Sequence, residues 1–327
     1  MAAADCINNS CIAAGIDIGS NTFRLLVARV AGGRLTPLVK ELATVRLSHN
    51  LTTSRVLAPD AIARALPVLQ QFNSILRQWQ PRYIRACGTA ALRTAGNSVE
   101  FLRLAQKTLG MPIEIITGSE EALLSLAGTT AFMEQQGPNP MLLVDVGGGS
   151  TELAYAAEGG GTDPGAEYPA PEVSSLTLGV VSLTEGFLHR QLTTPEETLH
   201  MTDHIRKHLV AALQKMTPCL RRSRPMIIGA GGTATSMAAL DLDLESYDEK
   251  KVQGHTLIRS RLEGLWQRLV TFTAAERNLL PGLQDGRGEI LLAGIRIYQV
   301  LLELLNVQQL TISDAGLLEG ILLSRLK

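Results

Sequence analysis

The chain has 327 residues, a length that predicts about two domains, each large enough to bury a core of its own. Hydrophobic residues make up 45% and charged residues 19%, and 30 Lys+Arg against 31 Asp+Glu leave a formal net charge of -1. This composition is typical of a globular protein. It argues against a disordered chain and against a general nucleic-acid binder.

The sequence indicates neither a membrane span nor a secretion signal. The longest apolar stretch, Ile290 to Leu305, is interrupted by Arg296 and Glu303 and is shorter than the roughly 18 uninterrupted apolar residues that a span requires. The N-terminus has no basic start followed by an apolar run. Four cysteines without a CxxC pair predict reduced thiols, so we expect a cytoplasmic protein that binds no membrane.

Strands and helices alternate along the first half, which predicts an α/β architecture. In chain order the pattern predicts a strand at Ile12 to Ile18, a strand at Phe23 to Val30, a helix at Ala61 to Trp79, a strand at Tyr83 to Cys87, a helix at Val99 to Leu109, a strand at Ile113 to Ile116 and a helix at about Ser119 to Glu134. The run QQGPNP at 135–140 then predicts a domain boundary.

The second half repeats this alternation. The predicted elements are strands at Met141 to Val146, Glu152 to Ala156, Met226 to Ile228 and Leu310 to Ile312, and helices at about Pro195 to Met216, Arg259 to Thr271, Glu289 to Leu305 and Ala315 to Leu326. The run GGGTDPGAEYPAP is interpreted as a flexible hairpin excursion.

An internal repeat heads the two halves. When GIDIGSNTFRLLVA is aligned with LVDVGGGSTELAYA, Asp17 coincides with Asp145 and Arg24 coincides with Glu152. Both segments have the pattern of a strand, a polar Gly-rich turn and a second strand, so duplication explains them better than chance. We therefore expect two related α/β lobes that face each other across a cleft.

Three Gly-rich turns are candidate phosphate-binding loops. Glycine lets the backbone turn tightly, successive N–H groups can form an anion nest, and a helix start adds a favourable dipole. A single such turn is as often purely structural, but three in one chain favour phosphate binding. The candidate residues are Gly19, Ser20, Asn21, Thr22, Gly147, Gly148, Gly149, Ser150, Thr151, Gly231, Gly232 and Thr233.

Asp17 and Asp145 end apolar strands beside these loops. A carboxylate there is costly to bury unless it is paired, hydrogen-bonded or bound to a cation. Mg2+ prefers a few carboxylates, waters and substrate phosphates, and Glu152 could supply a second ligand. In the alternative interpretation, both aspartates only close Asx turns.

Glu120 and Glu121 begin the helix that follows TGS. Acidic residues in a first turn usually complement the helix dipole, and Thr117 to Glu120 also matches a capping box. In a phosphate site, however, one glutamate could deprotonate a water while Arg24 or Arg93 neutralises phosphate charge. Surface exposure is the ordinary alternative for Arg93.

Seven motifs, in order and over nearly the whole chain, resemble the exopolyphosphatase/guanosine pentaphosphate phosphohydrolase family. They are GIDIGSNTFRLLVARV, RACGTAALRTAGNSVEFL, IEIITGSEEALLSLAG, LLVDVGGGSTEL, SLTLGVVSLTEGF, IIGAGGTATSMAAL and TISDAGLLEGIL. The resemblance implies an actin-like, sugar-kinase-like fold of two ribonuclease-H-like lobes. The lobes would comprise residues 12–135 with a helix at about 314–327, and residues 136–313.

The resemblance also implies a function, the hydrolytic release of terminal phosphate from polyphosphate or from pppGpp. It assigns the catalytic base to Glu121 and substrate binding to Arg93. Metal binding is assigned to Asp145 and Glu152, with Gly149 at the metal loop; from its position, Asp17 is a further candidate ligand. We expect Mg2+, or Mn2+ in its place, and a homodimer.

Several features depart from the family pattern or lie outside it. The family's LPPERADVILAG reads LLPGLQDGRGEILLAG here, so we expect its arginine and aspartate to be displaced or lost, and Gln253 stands where a histidine is usual. Because the chain resembles the short members, we expect a preference for shorter polyphosphates. Two polar groups are interpreted as surface features, although the histidines could bind metal and the basic cluster could guide a polyanion. They are His200, His204 and His208, and Arg221, Arg222 and Arg224.

Three other functions remain open from the sequence. The substrate could be pppGpp, although no guanine pocket is evident. The chain could be a kinase of the same superfold, or a sensor that binds a phosphorylated alarmone such as ppGpp without hydrolysing it. Exopolyphosphatase activity is the function that the sequence favours.

Overall fold

The computed structural model describes residues 10–32, 34–133, 140–157, 170–216, 220 and 223–326. The chain divides into two units, Met1–Gly128 with Leu317–Lys327, and Thr129–Gly316. The predicted limits were 135/136 and 313/314. The first of these, like most of the predicted hairpin excursion, lies outside the described residues.

The first unit is built on a five-stranded mixed sheet of order β3-β2-β1-β4-β5. Strands β1 and β2 form the predicted antiparallel hairpin. Strand β4 pairs with the other edge of β1 and runs parallel to it, and β5 runs parallel to β4. The strands are β1 (Cys11–Ile18), β2 (Thr22–Ala31), β3 (Arg34–Thr44), β4 (Tyr83–Gly88) and β5 (Glu114–Ile115).

Helices of the first unit bury apolar stripes against this sheet. In α2 the buried residues recur every three or four positions, and Pro59 begins the helix because its fixed φ suits the first turn. The helices are α1 (Leu51–Ser54), α2 (Pro59–Trp79), α3 (Ala90–Thr94), α4 (Ser98–Leu109) and α5 (Gly118–Phe132). Ala14, Ile16 and Ile18 of β1 pack with Leu69 and Phe101 of these helices.

The second unit has a six-stranded sheet of order β10-β11-β9-β6-β7-β8. Its strands are β6 (Met141–Val146), β7 (Thr151–Ala156), β8 (Glu172–Leu176), β9 (Met226–Ala230), β10 (Thr256–Ile258) and β11 (Gln309–Ile312). The pair β6–β7 is antiparallel, whereas β9 and β11 run parallel to β6.

A buried helix lies at the centre of the second unit. It is α12 (Arg287–Leu305), predicted as an apolar helix, and 14 of its 19 residues are buried, as expected for a helix with a broad apolar surface. The helices described in this unit are α6 (Val180–Phe187), α7 (Pro195–Lys215), α8 (Gly231–Asp241), α9 (Glu249–Val252), α10 (Arg259–Leu269), α11 (Ala274–Asn278) and α12 (Arg287–Leu305).

The chain then returns to the first unit through α13 (Leu317–Leu323), which packs on the other face of the first sheet. Leu318 and Leu322 contact Ala13 and Leu26 there. A Cβ atom at Gly15 would lie 2.9 Å from the carbonyl oxygen of Leu318, so the strand and the helix approach each other closely.

The two sheets confirm the predicted fold class. Numbered from its own first strand, the first sheet has the order 3-2-1-4-5 and the second has the order 3-2-1-4-6-5, in which the edge strand β10 pairs with β11. Strand 2 is antiparallel to strand 1 in both, as in a ribonuclease-H-like lobe, and the two repeat segments form the first hairpin of each sheet. None of the described helices combines the length and the hydropathy of a membrane span.

One cysteine differs from the expectation. Cys11 is disulfide-bonded, so the prediction of reduced thiols is wrong for this residue, whereas Cys87 is a buried free thiol. The sequence pattern could not show this, because a disulfide depends on the distance between two cysteines in space and not on a CxxC spacing.

Candidate functional site

In the first unit, the predicted site residues lie at the carboxyl ends of parallel strands. The end of β1 leads into the Gly19–Thr22 loop, the end of β4 leads into α3 with Arg93, and the end of β5 leads into α5 with Glu121. In open α/β sheets this edge is where ligands usually bind. The topology therefore places the loop, the arginine and the glutamate on one edge of the sheet.

Asp17 forms an ion pair with its cross-strand neighbour. Asp17 and Arg24 are partners in the β1–β2 ladder, and Nη2 and Nε of Arg24 donate to Oδ2 of Asp17 at 2.6 and 2.8 Å. Asp17 is only 2% exposed. A carboxylate buried to that degree needs such a partner, so the guanidinium offsets the charge of Asp17 beside the loop.

The Gly19–Thr22 loop is a tight turn with buried polar side chains. The N–H of Gly19 donates to the carbonyl of Thr22 at 3.1 Å, and a Cβ atom at Gly19 would lie only 2.7 Å from that oxygen. Ser20, Asn21 and Thr22 are all buried. Glycine is therefore required at the first position because the turn leaves no space for a side chain.

The structure separates the adjacent glutamates Glu120 and Glu121. Glu120 is partly exposed and accepts from Arg85 at 2.5 Å, and Arg85 also donates to Glu114. Although burial of Arg85 opposes it, the hydrogen bonds to Glu120 and Glu114 raise the pKa of the Arg85 guanidinium. Glu120 thus belongs to a surface ion-pair network, which is a structural role.

Glu121 faces Arg93 instead. Glu121 is 7% exposed, and Nη1 of Arg93 donates to its Oε2 at 2.6 Å and to the carbonyl of Ile116 at 3.0 Å. The glutamate lies in the first turn of α5, where the helix dipole favours a negative charge. Of the two glutamates that the sequence offered, the one assigned by resemblance is the buried one.

In the second unit, carboxylates face each other across the hairpin. Asp145 and Glu152 are partners in the β6–β7 ladder, are 8% and 2% exposed, and end up on one face of the sheet. Ser175 of β8 is the next residue in register, and its hydroxyl donates to Oε1 of Glu152 at 2.8 Å. The sequence analysis missed Ser175, which belongs to the segment EVSSL that forms β8.

The Gly147–Thr151 loop is held by the start of α6. The N–H groups of Val180 and Val181 donate to the carbonyls of Gly147 and Gly148 at 3.0 and 2.9 Å, and Gly179 approaches the loop backbone so closely that a side chain would collide with it. The hydroxyl of Thr151 donates to the carbonyl of Leu178 at 2.5 Å, so this hydroxyl already has an acceptor.

The third loop begins α8 beside Asp145. Gly231 has a φ of 80°, and a Cβ atom there would lie 2.5 Å from Oδ1 of Asp145, so both the conformation and the space require glycine. Gly232 lies against the guanidinium of Arg287, and Thr233 packs against Gly294 of α12. The neighbouring loop and the carboxylate are thus assembled by parallel pairing of β6 with β9.

Arg287 corrects an expectation of the sequence analysis. The family's arginine was expected to be displaced or lost, but Arg287 is buried at the start of α12 and touches Gly232. Counting back from the shared end of the two runs aligns Arg287 with that arginine and Glu289 with the aspartate. Gln253, which replaces the usual histidine, accepts from the backbone N–H groups of Asp314 and Ala315 at 2.8 and 3.4 Å.

Tyr298 connects the strands β6 and β9 of the second unit, and the sequence analysis did not identify it. Its hydroxyl donates to the carbonyls of Val144 and Ala230, which join the two strands that carry the loops. Complete burial, together with the nearby Asp145, raises the pKa of Tyr298 well above its usual value, so the phenol stays protonated. A tyrosine within an apolar helix gives no sequence signal of this role.

The carboxylates of the second unit suit a hard cation. Within the described ranges, no group of three or more His, Cys, Asp or Glu side chains could enclose a metal ion. Mg2+ does not need such a cage, because it binds through one or two carboxylates, waters and substrate phosphates. The donor set of Asp145 and Glu152 therefore fits Mg2+ or Mn2+ better than zinc.

Two groups of polar residues lie apart from the loops and carboxylates described above. They are the histidines His200, His204 and His208, and the basic cluster Arg221, Arg222 and Arg224. The rings of His204 and His208 pack 4.2 Å apart, and His204 also packs on Phe187. Burial, together with the electrostatic effect of the neighbouring His208 and Lys207, lowers the pKa of His204. Of the basic cluster, Arg224 is exposed, while Arg221 and Arg222 fall outside the described residues.

A comparison with protein families matches residues 26–327 to the Ppx/GppA phosphatase family. Among curated proteins, exopolyphosphatase 2 of Mycobacterium tuberculosis is 31% identical, and the alignment covers 95% of this chain and 97% of the relative.

Solved structures show the same similarity. The Ppx/GppA family member of Aquifex aeolicus has a TM-score of 0.77 at 29% identity, covering 96% of this chain and 97% of that one. An exopolyphosphatase from Cytophaga hutchinsonii has a TM-score of 0.84 at 26% identity, covering 95% and 96%.

Proposed function

The chain belongs to the Ppx/GppA phosphatase family, and from that premise we propose that it is an exopolyphosphatase that releases terminal orthophosphate from inorganic polyphosphate. Two of its relatives are named exopolyphosphatases, which are phosphoanhydride hydrolases, and this chain is an enzyme of the same hydrolase family. Mg2+ dependence, a preference for short chains, a cytoplasmic location and a homodimer are parts of the same proposal.

The observation that carries the proposal is the buried pair of Glu121 and Arg93. A hydrolase must hold a water molecule and accept its proton beside a group that binds phosphate charge. The carboxylate of Glu121 and the guanidinium of Arg93 are 2.6 Å apart, so both functions are available at one place. A protein that only binds phosphate has no need of the buried carboxylate.

The remaining residues bind and orient the substrate. In the first unit, backbone N–H groups of the Gly19–Thr22 loop would contact phosphate oxygens, and Arg24 keeps Asp17 from repelling them. In the second unit, the Gly147–Thr151 loop has the same capacity. Asp145 and Glu152 would hold Mg2+, which when bound offsets the negative charge of the phosphoanhydride. Glu121 would orient the water and take its proton, and positioning supplies most of the rate enhancement.

The experiment compares Glu121→Gln with Glu120→Gln as a matched control. Phosphate release is measured from short-chain polyphosphate and from pppGpp, with Mg2+ and with chelator. We expect Mg2+-dependent release from polyphosphate, a loss of about 100- to 10,000-fold in kcat for Glu121→Gln, and nearly wild-type activity for Glu120→Gln, since its partner Arg85 has a structural role.

The outcomes separate the alternatives. Faster release from pppGpp would change the substrate, and tight binding without release would indicate a sensor. Phosphate transfer that requires an acceptor would indicate a kinase. Full activity of a folded Glu121→Gln variant would overturn the assignment of the base.

A further inference from the structure

Ser48 lies against the Gly19–Thr22 loop, although it comes from a separate segment of the first unit. Its N–H donates to the carbonyl of Ser20 at 2.9 Å. The N–H groups of Val45 and Arg46 both donate to the carbonyl of Asn21, at 3.0 and 2.8 Å. The backbone after β3 is therefore fixed to the two central residues of the phosphate-loop candidate.

The side chains at this junction share a property. Ser20, Asn21 and Ser48 are 4%, 6% and 7% exposed, and in the part of the chain that the structure describes, the buried atoms Ser20 Oγ, Asn21 Nδ2 and Ser48 Oγ have no hydrogen-bond partner. Buried polar atoms are nearly always hydrogen-bonded, because leaving them unsatisfied is costly. Ser20 and Asn21 are neighbours in sequence, and the backbone of Ser48 is hydrogen-bonded to Ser20. Three such donors at one place indicate a common acceptor from outside the chain.

The acceptor that fits is an anion with several oxygens. All three groups can donate, and the adjacent Gly19 provides a tight backbone turn. The nearby carboxylate of Asp17 would repel an anion, but its ion pair with Arg24 at 2.6 Å offsets that charge. A phosphate group offers enough acceptor oxygens for all three donors, whereas one buried water could accept only two hydrogen bonds.

From this arrangement we propose that Ser48 is a further phosphate-binding residue, whose hydroxyl acts with Ser20 Oγ and Asn21 Nδ2 on one phosphate group of the substrate. The inference rests on the proposed function for the identity of that substrate, a chain of phosphoanhydrides. Sequence reasoning did not find Ser48, because VRLSHNL contains no Gly-rich turn and Ser48 lies 26 residues after the end of the loop.

The test measures binding of inorganic phosphate, which needs neither turnover nor metal. The variants are Ser48→Ala and the matched control Ser54→Ala, whose exposed hydroxyl donates to the carbonyl of Val56. Binding is followed by calorimetry and by the rise in Tm on adding phosphate, with chloride at equal ionic strength as the reference. We expect phosphate binding by Ser48→Ala to weaken about tenfold, as for loss of one hydrogen bond to a charged group.

The Tm measured without phosphate distinguishes a phosphate-binding role of Ser48 from a structural role. Because the Ser48 hydroxyl has no intramolecular partner, Ser48→Ala should keep or raise the wild-type Tm while losing phosphate affinity. A double variant with Ser20→Ala should lose less than the product of the single losses, since both hydroxyls contact the same anion.

Each result decides the inference separately from the function. If the wild type hydrolyses polyphosphate and Ser48→Ala binds phosphate equally well, the inference is wrong and the proposed function stands. A lower Tm with unchanged phosphate affinity would assign Ser48 to a buried water and also overturn it. If phosphate binding depends on Ser48 but no polyphosphate is hydrolysed, the phosphate site stands and the proposed function fails.

Discussion

The two hairpins of the internal repeat share a topology and differ in charge. In the first, Asp17 faces Arg24 across the ladder; in the second, Asp145 faces Glu152 at the equivalent register. The first aspartate is thereby neutralised beside a loop of buried donors, and the second lies beside another carboxylate in what we propose is a cation site. In this proposal, the residue at one cross-strand position decides whether the duplicated turn suits an anion or a cation.

The largest effect is expected when the second hairpin is given the charge pattern of the first. In Glu152→Arg, Asp145 would be ion-paired as Asp17 is, and cation binding should be lost. We expect kcat/KM for polyphosphate to fall on the order of 1,000-fold, because a bound cation contributes several kcal/mol of charge stabilisation. Calorimetric titration with Mg2+ or Mn2+ measures the binding directly.

Glu152→Gln is the control for this variant, since it keeps the shape of a residue that is 2% exposed. It should also weaken cation binding while the circular dichroism spectrum stays native. Wild-type cation affinity in both folded variants would show that the carboxylate pair is not the metal site.

The converse change breaks the first hairpin. In Arg24→Gln, the buried Asp17 loses its guanidinium partner, and the free energy of unfolding should fall by about 3 kcal/mol. Urea denaturation measures this. The double variant Asp17→Asn with Arg24→Gln should recover much of the loss, because it removes the buried charge as well; a single variant as stable as the wild type would contradict the role given to the pair.

A smaller effect is expected from Ser175 in the second hairpin, where it tests how the carboxylate of Glu152 is oriented. Ser175 donates to Oε1 of Glu152 and so fixes the orientation of that carboxylate. We expect Ser175→Ala to weaken Mg2+ binding about tenfold, as for other residues that orient metal ligands. Ser175→Thr should restore most of the affinity, and Ser174→Ala on the same strand should leave it unchanged. Equal affinities for the two alanine variants would exclude this role.

The smallest effect concerns the strand on the other side of each aspartate. Asp17 pairs with Cys87 there, whereas Asp145 pairs with Ala230. Burial raises the pKa of the Cys87 thiol from its ordinary 9.0 to about 12. Above pH 9 the unfolded chain releases this proton and the folded chain does not, so stability should fall between about pH 9 and pH 12.

Cys87→Ala, which copies Ala230, tests this pH dependence. The variant should lose about 1.4 kcal/mol less stability than the wild type when the pH rises from about 7 to 10, since one pKa unit corresponds to that energy. Chemical denaturation at the two pH values measures the difference. Identical losses would show that another group controls alkaline stability.

Much of the fold could be predicted because its signals are local. The strands of the two hairpins, the long helices and the buried α12 follow from apolar periodicity and from glycine and proline positions. The strand β3 could not be predicted, because RLTPLVKELAT shows no clear alternation of apolar and polar residues, contains Pro37 and has no fully buried residue. It forms because β2 offers it a ladder of backbone hydrogen bonds.

The candidate site divides in the same way. Glycine-rich turns and the aspartates that precede them can be read from the sequence, and resemblance selected Glu121. The sequence did not show that Glu120 pairs with Arg85, that Arg287 lies on Gly232, or that a serine orients Glu152. Each of these depends on a partner from another segment.

By itself the sequence determined the alternation of strands and helices, the duplicated hairpin and the residues of its turns, because those depend on neighbours within a few positions. Only the tertiary structure decided which charges meet. Arg93 and Glu121 are 28 positions apart, and Glu152 and Ser175 are 23 positions apart. Contacts at such separations are set by strand register and helix packing, and they give two similar turns different surroundings.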